Sequence, residues 1–362
     1  MSFPSLSIKI FNSILRRFFA LKEIPANRIE NVKKILIVCS HFNPGELIAS
    51  TSLFRAIKEK FPDSDLVVVV NDDLSTGIKN HLIDEYVVIK IYRLFNPFYL
   101  YNRLQKIRTG FDLTLVPNIA KQSFLSDYMA RFSDGKIKVG TKSLNGEINE
   151  SGFCFDIKID LNYSKHPDSN ISERVLEIIR PLGFDTADLN TKIIINDRDY
   201  VSAKGRLSRI KTDPKTTLVG MNIYSEEITK NWNLNNFVSL MQGIKKEFNC
   251  AIFLFGDDQN ESVKFLKSKT AVPFLLIDNA SIPEKAAIIS LSDIFITVDS
   301  VLMHIAGTTS TAQISLFGNS NPFNFAPCGK NKIFLRKSDL IDEISADDVL
   351  DVCKVLLNNG SK

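Results

Sequence analysis

At 362 residues, 44% of them hydrophobic and 24% charged, the chain has enough apolar material for two cores, and its composition argues against disorder. Five scattered cysteines, never in C-x-x-C spacing, argue against a disulfide framework or a zinc cluster and suit a reducing cytosol. The net charge of +4 sits in the leader: residues 1–34 hold seven Lys/Arg against Glu23 and Glu30, a net of +5. The remainder is near neutral, which speaks against nucleic acid as a partner.

The leader, residues 1–30, reads as a basic amphipathic helix. Ile8, Ile10, Phe11, Ile14, Leu15, Phe18, Phe19 and Leu21 fall on one arc of a helical wheel, and Lys9, Asn12, Ser13, Arg16 and Arg17 on the other. Arg16 and Arg17 interrupt the apolar run, so it is too short for a membrane span and a poor signal-peptide core. Two readings stay open. Residues 8–22 lie in the plane of an anionic inner-membrane surface, or the helix packs on the protein's own surface or a partner.

From Lys33 the pattern alternates strand and helix. KKILIVCS (33–40) is a run of the kind buried on both faces of a parallel sheet. After Pro44-Gly45, Leu47, Phe54, Ile57 and Phe61 recur at helical spacing until Pro62. DLVVVV (65–70), YVVIKIY (86–92) and FDLTLVP (111–117) predict strands, 121–132 a helix, and KIKVG (136–140) another strand. FCFDIKIDL (153–161) alternates, as an edge strand or an extended connection would. Residues 172–185 read as a helix broken by Pro181 and Gly183. The boundary is placed near residue 187, giving domains 31–186 and 187–362.

A fresh α/β series follows: strands at 216–223, 250–256, 273–278, 294–298 and 312–318, with helices at 235–248, 260–268, 282–291 and from about 301. Ser281 to Glu284 forms a capping box with an early proline. The fold class is therefore α/β: two Rossmann-like domains with parallel sheets, ligands at the carboxyl ends of the strands, and a cleft between the domains. Architecture alone does not choose a function.

Chemistry concentrates in residues 294–322. A strand ends at Val298, Asp299-Ser300 make the turn, and a helix opens with Val301 and Leu302. Free amides at a helix start favour a diphosphate, and His304 lies one turn further in. The competing reading has Asp299 or Ser300 capping the helix and His304 satisfied in the core. At the end of the first strand, Asn43 as N-cap, Pro44 and Glu46 could form an ordinary capping box.

These residues resemble glycosyltransferase family 9, the bacterial heptosyltransferases. Asp299-Ser300, His304-Ile-Ala, Phe317-Gly318, Asn321-Pro322 and Pro327-Cys328-Gly329 are similar to the family signature, with Val301 where the family has glycine. Lys230-Asn-Trp232-Asn resembles its Lys-x-Trp-Pro element, with Asn233 in place of proline. Gly45-Glu46 stands where the family has Gly-Asp. The resemblance covers about residues 33–330. It implies the GT-B fold, with an acceptor-binding first domain and a nucleotide-sugar-binding second domain facing an interdomain cleft.

It further implies inverting transfer of a heptose or related sugar from an ADP-sugar to a hydroxyl of a lipopolysaccharide core or similar envelope glycan. Glu46 is then the catalytic base and Lys230 the stabiliser of the departing nucleotide. Ser225, Lys230, Glu261, Asp299, Ser300, Val301, Leu302 and His304 are expected on the donor, and His41 and Lys121 on the acceptor. His166 and Arg174 are similar to the element closing the first domain. No metal or other cofactor is required by this scheme. The expected location is cytoplasmic, peripheral on the inner face of the membrane. Two alternatives stand beside it: a same-fold transferase using another nucleotide sugar for O-antigen, capsule or protein glycosylation, and an inactive nucleotide-sugar-binding scaffold.

Overall fold

The computed structural model describes residues 5–27, 29–72 and 77–359. The chain divides into two compact units, Met1–Leu189 and Asn190–Lys362. The division falls three residues beyond the expected one, and the leader belongs to the first unit instead of standing apart.

The first unit runs α1 (Ser5–Phe19), β1 (Lys34–Val38), α2 (Pro44–Ala49), α3 (Thr51–Lys60), β2 (Asp65–Asn71), β3 (Glu85–Ile89), α4 (Pro97–Lys106) and β4 (Leu113–Leu115). It continues with α5 (Phe124–Phe132), β5 (Ile137–Leu144), β6 (Glu147–Ile148), β7 (Ile157–Leu161) and α6 (Ile171–Arg174). The sheet order is β3-β2-β1-β4-β5-β6, with β7 also paired to β5. Every pairing is parallel except β5 with β6. Ile35, Leu36, Ile37 and Val38 are all buried, as a central strand covered on both faces requires.

Several expectations shift in detail. The helix expected from Pro44 to Phe61 is two helices, because Ser50 Oγ donates to the Glu46 carbonyl at 2.7 Å and opens the turn. The strand expected over 86–92 stops at Ile89, and a 3-10 turn covers Ile91–Arg93. The helix expected over 172–185 keeps only α6. Leu176 N–H then donates to Glu173 O and Ile179 N–H to Leu176 O, a tighter i→i+3 pattern that ends at Gly183 with φ +82°.

The leader packs on its own unit. Leu15 and Phe19 lie against a cluster built from Leu36, Val38, Val67, Val69, Phe111 and Phe153. Asn12, read from the wheel as polar-face, is buried and accepts from the Tyr128 hydroxyl. Ile14 and Phe18, from the apolar arc, are exposed. The side chains of Ile8, Lys9, Ile10 and Phe11, and Arg28, lie outside the described residues. Among the described residues no helix is long and apolar enough to cross a membrane.

The second unit runs α7 (Asp197–Leu207), β8 (Thr217–Asn222), α8 (Leu234–Glu247), β9 (Cys250–Phe255), α9 (Glu261–Lys269), β10 (Phe274–Ile277) and α10 (Ile282–Ser290). Then come β11 (Ile294–Val298), α11 (Val301–Gly307), β12 (Ala312–Leu316), α12 (Pro322–Phe325), β13 (Lys332–Leu335) and α13 (Ala346–Asn359). All strands are parallel, in the order β10-β9-β8-β11-β12-β13. This is the Rossmann order, in which the direction of strand addition across the sheet reverses between the first and fourth strands. Gly220 in β8 makes room for the rings of Phe253 and Phe295: a Cβ there would stand 2.3 Å from Phe253 Cζ.

Candidate active site

In each unit the strand order reverses beside the first strand, between β1 and β4 and between β8 and β11. Crevices for ligands open at the carboxyl ends of such strand pairs. Most of the sequence-predicted residues gather at these two places, and Glu261, His166 and Arg174 do not.

In the first unit, β1 leads to His41 and Glu46, and β4 leads to Pro117, Asn118 and Lys121. Asn43 is the N-cap of α2 and Glu46 its third residue. Asn43 N–H donates to Glu46 Oε2 at 2.8 Å, and Glu46 N–H donates to Asn43 Oδ1 at 2.9 Å, so the capping box is formed. Glu46 is nonetheless buried. Burial raises its pKa above the ordinary 4.5, opposed by the Asn43 N–H and by the charge of Lys121. Oε1 accepts no hydrogen bond among the described residues. The carboxylate thus caps its helix through one oxygen and leaves the other without a hydrogen bond among the described residues.

His41 Nδ1 and Ser126 Oγ lie 2.9 Å apart, and Ser40 Oγ lies 2.8 Å from the same hydroxyl. Its Nε2 is buried without a hydrogen-bond partner. Burial holds the imidazole down at about 4, with Lys121 pushing the same way and Asn118 and the Pro117 carbonyl pulling back. It is therefore neutral at physiological pH, able to give or take one hydrogen bond at Nε2. The structure thus groups His41, Glu46 and Lys121.

In the second unit, Lys230 Nζ lies 3.0 Å from Asp299 Oδ2 and 3.0 Å from Glu227 Oε2. Burial works against the ammonium, but the two carboxylates outweigh it and raise its pKa, so Lys230 is charged. His304 is governed by burial, which lowers its pKa despite Asp299, with Lys230 adding to the lowering. It is a neutral imidazole beside an ion pair. Ser300 is the N-cap of α11 but makes no side-chain cap bond. Its hydroxyl instead accepts from Asn222 Nδ2 at 2.8 Å, while Asp299 holds Lys230. The helix start is therefore not capped by either residue, against the structural alternative that the sequence left open.

Ser225 is buried, and its backbone is clamped by Asn231: Ser225 N–H donates to Oδ1 at 2.6 Å and Nδ2 donates to Ser225 O at 3.0 Å. Trp232 is buried, and its indole N–H donates to Ile344 O at 2.8 Å, anchoring the loop that carries Lys230. Val301 is exposed at the helix start and Leu302 half-buried. Glu261 stands apart at the start of α9, one strand away, where its exposed carboxylate pairs with Lys264 Nζ at 2.8 Å. Its neighbour Ser262 lines a cleft of about 430 Å³ with Tyr224, Asn231, Trp232 and Phe265. His166 and Arg174 line a separate cleft of about 520 Å³ in the first unit, also bounded by Tyr163. Among the described residues no cluster of His, Cys, Asp or Glu is arranged to hold a metal ion.

Sequence reasoning missed Asn222, whose buried amide reaches Thr297 Oγ1, Ser300 Oγ and the Tyr224 carbonyl. Its strand position offers the one available signal, a polar residue ending a buried run. It also missed Asp127, fully buried and raised to about 7 by burial, with Ser151 and Asn149 hydrogen bonds opposing.

Comparison with known proteins agrees with this fold. The family profile of glycosyltransferase family 9 (heptosyltransferase) matches residues 106–347. Lipopolysaccharide heptosyltransferase 3 of Escherichia coli is 22% identical over 305 residues, spanning 80% of this chain and 85% of that protein. A family 9 glycosyltransferase from Veillonella parvula superposes with a TM-score of 0.81 at 20% identity, covering 92% of this chain and 100% of the other. E. coli ADP-heptose LPS heptosyltransferase II gives a TM-score of 0.70 at 18% identity, covering 91% and 100%. The two parallel-sheet units are a GT-B fold. With its profile match running through the Lys230, Asp299 and His304 segment, the chain belongs to glycosyltransferase family 9, the heptosyltransferase family.

Proposed function

We propose that the enzyme transfers a heptose, or a related sugar, from an ADP-sugar to a hydroxyl of a lipopolysaccharide core or similar envelope glycan, with inversion at the anomeric carbon. The observation that carries this reading is the Lys230–Asp299 pair beside neutral His304 at an uncapped helix start. It is a preorganised place for a diphosphate, at the switch point of a nucleotide-binding fold. The names of the E. coli relatives, lipopolysaccharide heptosyltransferase 3 and ADP-heptose LPS heptosyltransferase II, support the acceptor and donor classes.

In this scheme Glu46 takes the proton from the acceptor hydroxyl as its oxygen attacks the anomeric carbon, and the bond from that carbon to the ADP oxygen breaks. Lys230 meets the charge growing on the departing diphosphate, with the amides of Val301 and Leu302 and the His304 imidazole around it. Lys230 and the amides fill the electrostatic role that a metal ion plays in other transferases. Asp299 fixes where the ammonium points. Ser225 and the cleft lined by Tyr224 and Phe265 take the nucleoside. His41 and Lys121 hold the acceptor. The chain works on the cytoplasmic side, at the inner membrane face.

One feature favours a second reading. Val301, where the family resemblance has glycine, puts a side chain at the helix start, which suits a transferase of the same fold with a different nucleotide sugar. Thermal-shift screening with ADP-, UDP- and GDP-sugars separates the two. The ADP-heptose reading predicts the largest shift with ADP compounds. A larger shift with UDP- or GDP-sugars would overturn the donor assignment.

A further inference from the structure

The stretch after β3 carries an exposed surface that no part of the transfer chemistry uses. Between residues 90 and 108 lie Lys90, Arg93, Arg103, Lys106 and Arg108, and no acidic residue. Interleaved with them, Phe95 is 93% exposed, Phe98 75%, and Tyr92, Tyr101 and Ile91 at least half exposed. Helix α4 buries no residue fully. Large aromatic side chains in this number are not left in water on an isolated surface without a role.

These residues are held in place. Leu94 and Leu104 pack on the core cluster beneath. The Tyr99 hydroxyl accepts from Lys90 N–H at 2.8 Å, and Asn96 Oδ1 caps the helix by accepting from Phe98 and Tyr99 N–H. Arg103 lies over the Tyr99 ring at 5.1 Å. The fold thus presents Phe95 and Phe98 outward by construction. Lys90 pairs with Asp72 and Lys106 with Glu85, whereas Arg93, Arg103 and Arg108 have no carboxylate partner among the described residues. Arg108 Nε donates to the Phe132 carbonyl at 2.7 Å, and arginines that lack a carboxylate partner among exposed aromatics are the composition of a protein surface seated in an anionic headgroup layer.

We propose that residues 91–108 are the primary docking surface for an anionic lipid bilayer, with the outer side of α1 as an auxiliary contact. Leu15 and Phe19 of α1 pack on the same core cluster as Leu94 and Leu104, while Ile14, Arg16, Arg17 and Phe18 stay exposed. The location fits a lipid-anchored acceptor. The sheet is parallel through β3, β2 and β1, so the chain leaves β3 at the same edge where β1 leads to His41 and Glu46. Two strand spacings, roughly 10 Å, separate the two exits across the sheet. A bilayer against residues 91–98 places headgroup sugars beside the acceptor residues. The docking does not depend on which sugar is transferred.

The test is co-sedimentation of the full-length protein with vesicles of phosphatidylglycerol and phosphatidylethanolamine, and with pure phosphatidylcholine. Wild type should sediment with the anionic vesicles and much less with phosphatidylcholine, and added salt should release it. The double variant Phe95→Ser/Phe98→Ser should bind at least about tenfold more weakly, because each lost ring forfeits apolar burial in the interface. Its melting temperature and its thermal shift with ADP should match wild type, since both rings are exposed. Ile14→Ser/Phe18→Ser should weaken binding less. In Phe98→Trp, added anionic vesicles should shift the emission to the blue. Wild-type protein remaining in the supernatant, or the Phe95/Phe98 variant sedimenting like wild type, overturns the proposal. So does a wild-type dimer in light scattering that this variant abolishes without any change in vesicle binding.

Discussion

The two jobs of Glu46 can be separated by substitution. Glu46→Gln keeps a side-chain acceptor for Asn43 N–H, so the capping box survives, whereas the variant has no base. Loss of a positioned base typically lowers turnover by about 10²–10⁴, a barrier increase of roughly 3–5 kcal/mol. Stability should move the other way or not at all. Burial raises the folded-state pKa of Glu46, so the native state binds this proton more readily than the unfolded chain does. The carboxylate therefore costs stability at neutral pH, and that cost vanishes as pH falls below the ordinary 4.5. Asn43→Ala is the converse probe. Losing the cap should cost about 1 kcal/mol, roughly 2–4 °C in a unit of this size, with a smaller fall in turnover. Steady-state ADP release with calorimetric melting gives both numbers. Glu46→Gln turning over like wild type would refute the base assignment. If Asn43→Ala lost as much activity as Glu46→Gln, the effect would belong to loop geometry instead.

Two further predictions follow from buried groups. His304 is held neutral by burial, so the change in ADP affinity between pH 6 and 8 should follow the ligand's own phosphate ionisation and be the same, within about twofold, in wild type and in His304→Gln. A one-proton affinity change in that window that disappears in His304→Gln would show that the imidazole titrates there instead. Gly220→Ala pushes a methyl into Phe253 and Phe295, with a Cβ only 2.3 Å from Phe253 Cζ, and should cost about 1–3 kcal/mol in the second unit's melting. A melting curve unchanged by this substitution would mean the phenylalanine layer can yield.

Much of the fold was legible because its central strands are short, β-branched and buried on both faces. IFITV coincides with β11, and the helix after Ser281 begins where that capping residue announces it. Helix α4 escaped notice because it has no fully buried stripe: Phe98 and Tyr101 face outward, which blurs the 3.6-residue period. Helix α7 is strongly polar and fully buries only Ala203 and Leu207. The site was legible where spacing is local, as in Asp299 to His304. The Lys230–Asp299 pair joins loops 69 positions apart, and the Asn222 link to Ser300 spans 78. Only the β8–β11 register, in which Asn222 faces Thr297, creates those contacts. The leader shows the limit of a wheel: one apolar arc was split, Leu15 and Phe19 inward and Phe18 outward, by the shape of the core beneath it.

Titration calorimetry of ADP against wild type and Lys230→Ala bears most directly on the diphosphate site. Wild type should bind ADP, and the variant, compared at a temperature where both are folded because Asp299 loses its partner, should lose at least about tenfold in affinity. Equal affinities in the two proteins would mean that the ammonium held by Asp299 does not meet a diphosphate.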